Sequence, residues 1–145
     1  MALFQSFNIS ASGMTAQRFR FDTIAQNIAN VNTTRDENGE TYVRKVAVFA
    51  EKTNNNFGSV LNSALGASGK GVKVVKIAKD TETDMKMVYD PSHPDADENG
   101  YVTYPNVDTV TEMTNMIDAS RSYEANVTAF NASKSMLLKT LEIGK

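Results

Sequence analysis

The sequence predicts an α+β protein, in which long N- and C-terminal helices pair as a coiled coil and a small β-rich insert lies between them. Apolar residues recur at helical period near both ends of the chain. Alternating apolar runs, bounded by Gly, Asn and Pro, fill the middle. The two stripes sit at opposite ends of the sequence, so each can cover the other as an antiparallel pair.

The N-terminal helix is placed within residues 1–33. Phe7, Met14, Phe21 and Ile28 stand at heptad spacing, flanked by Leu3, Phe4, Ala11, Ile24, Ala25 and Val31. Gly13 weakens this helix by up to ~1 kcal/mol relative to Ala. The stretch DTIAQNIANVNTT then keeps an apolar rhythm through Ile24, Ile28, Ala29 and Val31 while Asn27, Asn30 and Asn32 interrupt it. Asn competes for backbone hydrogen bonds and tolerates left-handed geometry, so the helix is expected to stop here.

The insert spans 34–105. A turn signal at Asn38-Gly39 precedes a run in which Tyr42, Arg44, Val46 and Val48 alternate with Val43, Lys45, Ala47 and Phe49, the pattern of a strand. A stretch near 52–71, rich in Asn, Gly and Ser, reads as a flexible loop. Val72–Asp80 and Met85–Asp90 read as further strands, and GYVTY from Gly100 as another. Pro91, Pro94, Asn99-Gly100 and Pro105 punctuate the chain around them.

The C-terminal helix is placed within 106–145. Thr109 and Glu112 have capping-box spacing, and Asp108 adds negative charge at the helix start. Met113, Met116, Ser120, Tyr123, Val127, Phe130, Lys134, Leu137 and Leu141 follow a three-four alternation, a seam with two polar insertions. Gly144 is a natural C-terminal cap. At about 1.5 Å per residue this helix is roughly 50 Å long and the first roughly 40 Å. Phe4, Ile9, Phe19, Val110, Ile117 and Leu138 lie off both seams. A helix pair alone leaves them in water, which favours packing against other copies or other proteins. Arg121 and Tyr123, of residue types that anchor interfaces, are candidates to face such a partner.

Composition narrows the chemistry. The 145 residues suit one domain, and the net charge of −2 gives no general pull toward nucleic acid or an anionic membrane. The absence of Cys excludes disulfides and thiolate metal sites. The N-terminus lacks the basic and apolar regions of a secretory signal, and no stretch approaches the ~18 apolar residues of a membrane span. Asp95, Asp97, Asn99 and Gly100 match the first half of a calcium-binding loop, but Asn106 stands where a bidentate Glu belongs. They are expected to form an acidic turn. His93 is the only histidine and has no partner motif. No catalytic residue, cofactor or metal site is therefore expected.

The motifs resemble one family. QNIANVNTT is similar to the N-terminal signature of the bacterial flagellar axial rod and hook proteins, with Ala29, Asn30 and Thr33 at its Ala-Asn-x-x-Thr element. The run from Tyr89 to Val127 resembles the C-terminal half of a short proximal rod member. Its matching elements are Gly100-Tyr101-Val102, Pro105 to Asp108, Glu112-Met113, Ser120 to Tyr123, and Ala125-Asn126. The ending, Lys134 to Lys145, is also similar. The resemblance implies a structural rod subunit without enzymatic activity, exported by the flagellar type III apparatus without a cleaved signal and assembled in the periplasm. Its partners would be copies of itself, other rod subunits and rotor-base proteins. The terminal helices would form the inner tube, poorly ordered before assembly, with the insert outside. Asn27 and Asn30 would cap the helix end and satisfy local or neighbouring backbone groups. A different short rod protein, or a soluble coiled-coil adaptor or chaperone using the same seams, is the alternative.

Overall fold

A computed structural model describes residues 2–36, 39–52, 61 and 70–143. Helix α1 (Ala2–Ala29) is followed by strands β1 (Lys45–Glu51), β2 (Val72–Lys79), β3 (Lys86–Tyr89) and β4 (Tyr101–Tyr104), then helix α2 (Thr109–Ile143). The expected order of helix, β insert and long helix is thus observed. Most of the expected loop near 52–71, together with Asn38 and Gly144, lies outside the described residues.

The insert holds two separate antiparallel pairs, β1 with β2 and β3 with β4. Lys45 pairs with Lys79 and Glu51 with Val72, with a register shift between Val48 and Phe49. Lys86 pairs with Tyr104 and Tyr89 with Tyr101. The strand expected from Tyr42 begins three residues later, because Tyr42 and Arg44 point their side chains into a polar cluster described below. The β1–β2 pair lies against α1. At its edge Gly71 has φ +89, and a Cβ there would collide with the Ser12 hydroxyl. The Val72 N–H donates to that same hydroxyl at 3.1 Å.

Both helix boundaries have local causes. At the end of α1, Asn30 Nδ2 donates to Gln26 O at 2.8 Å, and Thr33 Oγ1 donates to Asn30 Oδ1 at 3.2 Å. Asn30 therefore satisfies the last turn as expected. At the start of α2 the expected capping box is not formed. Asp108 is the N-cap: its Oδ2 accepts from the Thr111 N–H at 3.0 Å and from the Thr111 hydroxyl at 2.5 Å. Glu112 is thereby released from the helix end and turned into the interior.

The helices run antiparallel. Ser6 meets Ser133 (Oγ–Oγ 3.5 Å), Gly13 faces Asn126, and Asn27 meets Glu112, so seven-residue steps forward on α1 match seven-residue steps backward on α2. The seam differs from the expected one. On α2 the buried line is Glu112, Ala119 and Ser133, one residue out of phase with Met113, Ser120 and Lys134. On α1 the buried positions are Ser10, Ala16, Thr23, Ile24 and Asn27 rather than the Phe7–Met14–Phe21–Ile28 line. Small and polar residues fill the contact, so the backbones approach closely. Gly13 faces Asn126 in this contact, and a Cβ there would lie 2.6 Å from Asn126 Oδ1. Part of the expected stripe is displaced outward, while Phe7, Met14, Ile28, Met116, Val127, Phe130 and Leu137 stay half-buried. Phe21 is 39% exposed, Tyr123 41%, Met113 56% and Leu141 63%.

Candidate assembly site

The most completely buried part of the molecule lies where β4 leads into α2. Val102, Pro105 and Val107 are sealed there, beside the end of α1. Among them sits a polar node built from five separated residues: Asn27, Arg44, Asp80, Asn106 and Glu112.

Asn27 is wholly buried and uses all of its hydrogen-bonding capacity. Its Nδ2 donates to Lys45 O at 2.8 Å and to Glu112 Oε2 at 2.9 Å. Its Oδ1 accepts from Lys45 N and from the Tyr42 hydroxyl, each at 2.9 Å. The expected helix-capping role for Asn27 is therefore replaced. The amide extends the β-ladder, receiving and returning both backbone bonds of Lys45 at the start of β1.

Glu112 is also wholly buried. Its Oε1 accepts from Arg44 Nε at 2.9 Å and from the Arg44 terminal NH2 at 2.7 Å. Arg44 NH1 reaches Asp80 Oδ2 at 3.1 Å. Asn106 Oδ1 accepts from Arg44 N at 2.8 Å, while its Nδ2 donates to Asp80 O and Thr83 O. Every charge in the node therefore has hydrogen-bonded partners, which a buried charge requires.

The electrostatics follow this geometry. Burial works against the Arg44 charge, but hydrogen bonds and charges from Glu112 and Asp80 outweigh it and raise the Arg44 pKa. Burial, and then the Glu112 charge, raise the Tyr42 phenol above its ordinary value. The Thr83 N–H, assisted by Arg44, holds the Asp80 carboxyl below the usual carboxylate range.

The residues expected to take part in assembly divide into two groups. Phe7 and Phe130 pack edge to face with ring centroids 4.8 Å apart, and Asn126 lies against Gly13. Met14, Ile28, Met116, Val127 and Leu137 are half-buried, while Asn30 and Thr33 form the α1 cap. Phe21, Ala29, Met113, Arg121, Tyr123 and Leu141 stand exposed. The off-seam residues Phe4, Ile9, Phe19, Val110, Ile117 and Leu138 are exposed as well. Beside the seam, Gln17, Arg18, Phe21, Ala119, Ser120 and Tyr123 line a groove of about 330 Å³. Within it Gln17 Oε1 is buried without a donor, alone among the described side-chain atoms.

The acidic turn has a structural occupation. Asp97 Oδ1 accepts from the N–H groups of Asn99 and Tyr101 at 2.9 and 2.8 Å, and Asp95 Oδ2 accepts from the Thr34 hydroxyl at 2.7 Å. His93 Nδ1 accepts from the Asp95 N–H at 3.1 Å. These groups shape the β3–β4 connection.

A long antiparallel helix pair, closed on itself by small residues and apolar along its outer flanks, is the architecture of a subunit that completes its packing against neighbours. Two family comparisons give that class a name. Residues 7–35 match the flagella basal body rod protein family, and residues 98–143 match the flagellar basal body rod FlgEFG protein C-terminal family. Asn27 lies in the first segment and Asn106 and Glu112 in the second, so the node joins the two. Full-length relatives are more specific. The flagellar basal-body rod protein FlgC of Bacillus subtilis (strain 168) is 51% identical, with all of both chains covered. FlgC of Borreliella burgdorferi is 47% identical over 99% of this chain and 98% of the relative. FlgC of Salmonella typhimurium is 41% identical over all of both chains. The chain belongs to the FlgC family of flagellar basal-body rod proteins and is a structural subunit of the flagellar rod.

Proposed function

We propose that this chain builds the proximal part of the rod, with α1 and α2 carrying its contacts to copies of itself, to other rod subunits and to rotor-base proteins. The observation that carries this reading is the inverted distribution of side chains on the helix pair. Ser10, Gly13, Ala16, Ala119 and Ser133 occupy the internal seam, whereas Phe4, Phe19, Phe21, Ile117, Leu138 and Leu141 face out. Exposed apolar surface of that extent is unfavourable in water and is characteristic of interaction faces.

The route to the rod is export through the flagellar type III apparatus without a cleaved signal, followed by assembly in the periplasm. No helix among the described residues is long and apolar enough to cross a membrane. The protein's role is mechanical, with no catalytic step. Mass spectrometry of washed hook-basal bodies tests the assignment. The chain should be retained there in the absence of any membrane extract, and should be missing from basal bodies of a strain lacking its gene. Recovery of the chain only in the soluble cytoplasmic fraction would favour the adaptor reading instead.

A further inference from the structure

We propose that Glu112 is the register key of the helix pair, and that the helical seam by itself accepts a second register one heptad away. A single buried polar contact can choose a register that the rest of a seam leaves open. Among the described residues, α2 packs against α1 and against no strand. Beyond that seam, its start is tied to the molecule through Glu112 and the buried Pro105–Val107 stretch before it.

The seam repeats every seven residues. Ser6 meets Ser133, Gly13 meets Asn126, and Phe7 packs on Phe130. Seven residues bring an α-helix back to nearly the same face, about 20° out of phase, and carry it about 10.5 Å along its axis. A slide of α2 by that step, toward its own N-terminus, gives each of these residues an acceptable partner. Ser6 then faces Thr140, Gly13 faces Ser133, and Phe7 lies beside Leu137. Arg20 donates to Asn115 Oδ1 at 3.3 Å in the observed register and meets the Ser122 hydroxyl in the other.

Helix length does not resist the slide. With 35 residues against 28, α2 is longer than α1 by seven. In the observed register this surplus runs past the start of α1, since Ser6 already lies opposite Ser133. The seven-residue surplus would pass to the other end, and the first turns of α2 would loop out.

Only the node rejects the second register. Glu112 would leave both Asn27 and Arg44, losing three hydrogen bonds. Asn27 Nδ2 would face Ala119, whose side chain offers no acceptor, and Arg44 would keep Asp80. Buried polar groups without partners are costly, whereas the seam exchanges like for like. The consequence for assembly rests on the function proposed above. Register sets the axial offset between Phe4, Phe19 and Phe21 on α1 and Ile117, Leu138 and Leu141 on α2, so a slip misaligns the outer apolar face.

The sequence has no Cys, so engineered pairs report register directly. In the full-length chain, Ser6→Cys with Ser133→Cys reports the observed register, and Ser6→Cys with Thr140→Cys the second one. The two positions on α2 are about 10.5 Å apart, and a disulfide closes only within a Cα separation of about 7 Å. Each pair is equilibrated in a glutathione buffer and the intramolecular disulfide is quantified. In the otherwise unchanged chain the first pair should close at least ~10-fold more completely than the second. Adding Glu112→Ala leaves Asn27 and Arg44 equally unpartnered in both registers, and should raise the second pair relative to the first at least ~10-fold. Phe130 meets Phe7 in one register and Met14 in the other, so Phe130→Ala weakens both and should hold the ratio within ~3-fold. If circular dichroism shows Glu112→Ala unfolded, Glu112→Gln is read in the same way and should move the ratio in the same direction. A folded Glu112 variant that closes only the first pair or neither, an equal shift in Phe130→Ala, or equal closure of both pairs in the unchanged chain would each overturn the proposal. None of these results bears on recovery of the chain from basal bodies, which tests the rod assignment separately.

Discussion

Asn27 Nδ2 stands 2.9 Å from Glu112 Oε2, in a wholly buried contact that joins the C-terminal end of α1 to the N-terminal end of α2. Asn27→Ala removes four hydrogen bonds and leaves Lys45 N, Lys45 O and one Glu112 oxygen without that partner. Buried groups left unsatisfied cost about 1–3 kcal/mol each. The variant should lose at least ~3 kcal/mol in urea unfolding. Glu112→Ala leaves Arg44 with Asp80 as its remaining ion-pair partner and Asn27 Nδ2 without one acceptor, and should cost ~1–3 kcal/mol. Because the two residues share one network, the double variant should lose clearly less than the sum of the singles. Additive losses would show that the node does not act as a unit.

Gly13 faces the Asn126 side chain across the helix pair. Gly13→Ala gains up to ~1 kcal/mol in helix propensity but pushes on the end of the Asn126 side chain, which can turn aside. The net change should stay within ~1 kcal/mol. Gly13→Leu has no such space and should destabilise by ~1–3 kcal/mol, read from the urea midpoint.

The folded pKa of Asp80 lies below its unfolded value of about 3.9. Its contribution is therefore fully present above that value and is lost as pH falls through the folded pKa. Asp108, held low by the Thr111 hydroxyl and N–H, acts in the same direction. Stability should fall below about pH 4, and less steeply in Asp80→Asn. Tyr42 has the opposite sign. Its raised pKa gives stability that is present below about pH 10 and lost as pH rises through the folded value. Tyr42→Phe should lose about 1 kcal/mol at neutral pH, through its bond to Asn27, and should show a weaker alkaline decline.

Burial is uneven along the helix pair. Thr23, Ile24, Asn27, Glu112 and Ala119 are buried at the node end, whereas the far end relies on Ser10, Ser133 and the Phe7–Phe130 pair. Amides in Thr23–Asn27 and in Glu112–Ala119 should exchange at least ~10-fold more slowly than those near Phe7 and Leu137. Uniform protection along both helices in a proven monomer would contradict this gradient and the expectation of loosely held termini.

The order of elements was legible because periodicity reports which residues avoid water. It does not report which partner covers them. Phe21, Met113 and Leu141 kept a convincing heptad rhythm yet lie outside the intramolecular seam, where Gly13, Ser10, Ala119 and Ser133 allow the backbones to close. Small polar residues leave no apolar signal, so the true seam was hidden one residue away. Thr109 and Glu112 had capping-box spacing, but Asp108 captured the cap and Glu112 was turned inward to meet Arg44. The node itself draws on residues from α1, the insert and α2. No local pattern announces such a cluster, although the unusual density of Asn from Asn27 to Asn32 was a sign that this helix end makes more than ordinary helical bonds.

Hydroxyl-radical footprinting of the monomer and of isolated rods, read by mass spectrometry, tests most directly whether the outer faces of the helix pair are the assembly surface. Phe4, Phe19, Phe21, Ile117, Leu138 and Leu141 should be reactive in the monomer and protected in the rod, while the sealed Val102 and Val107 stay unreactive in both. Outer-face residues that remain as reactive in the rod as in the monomer would contradict the account.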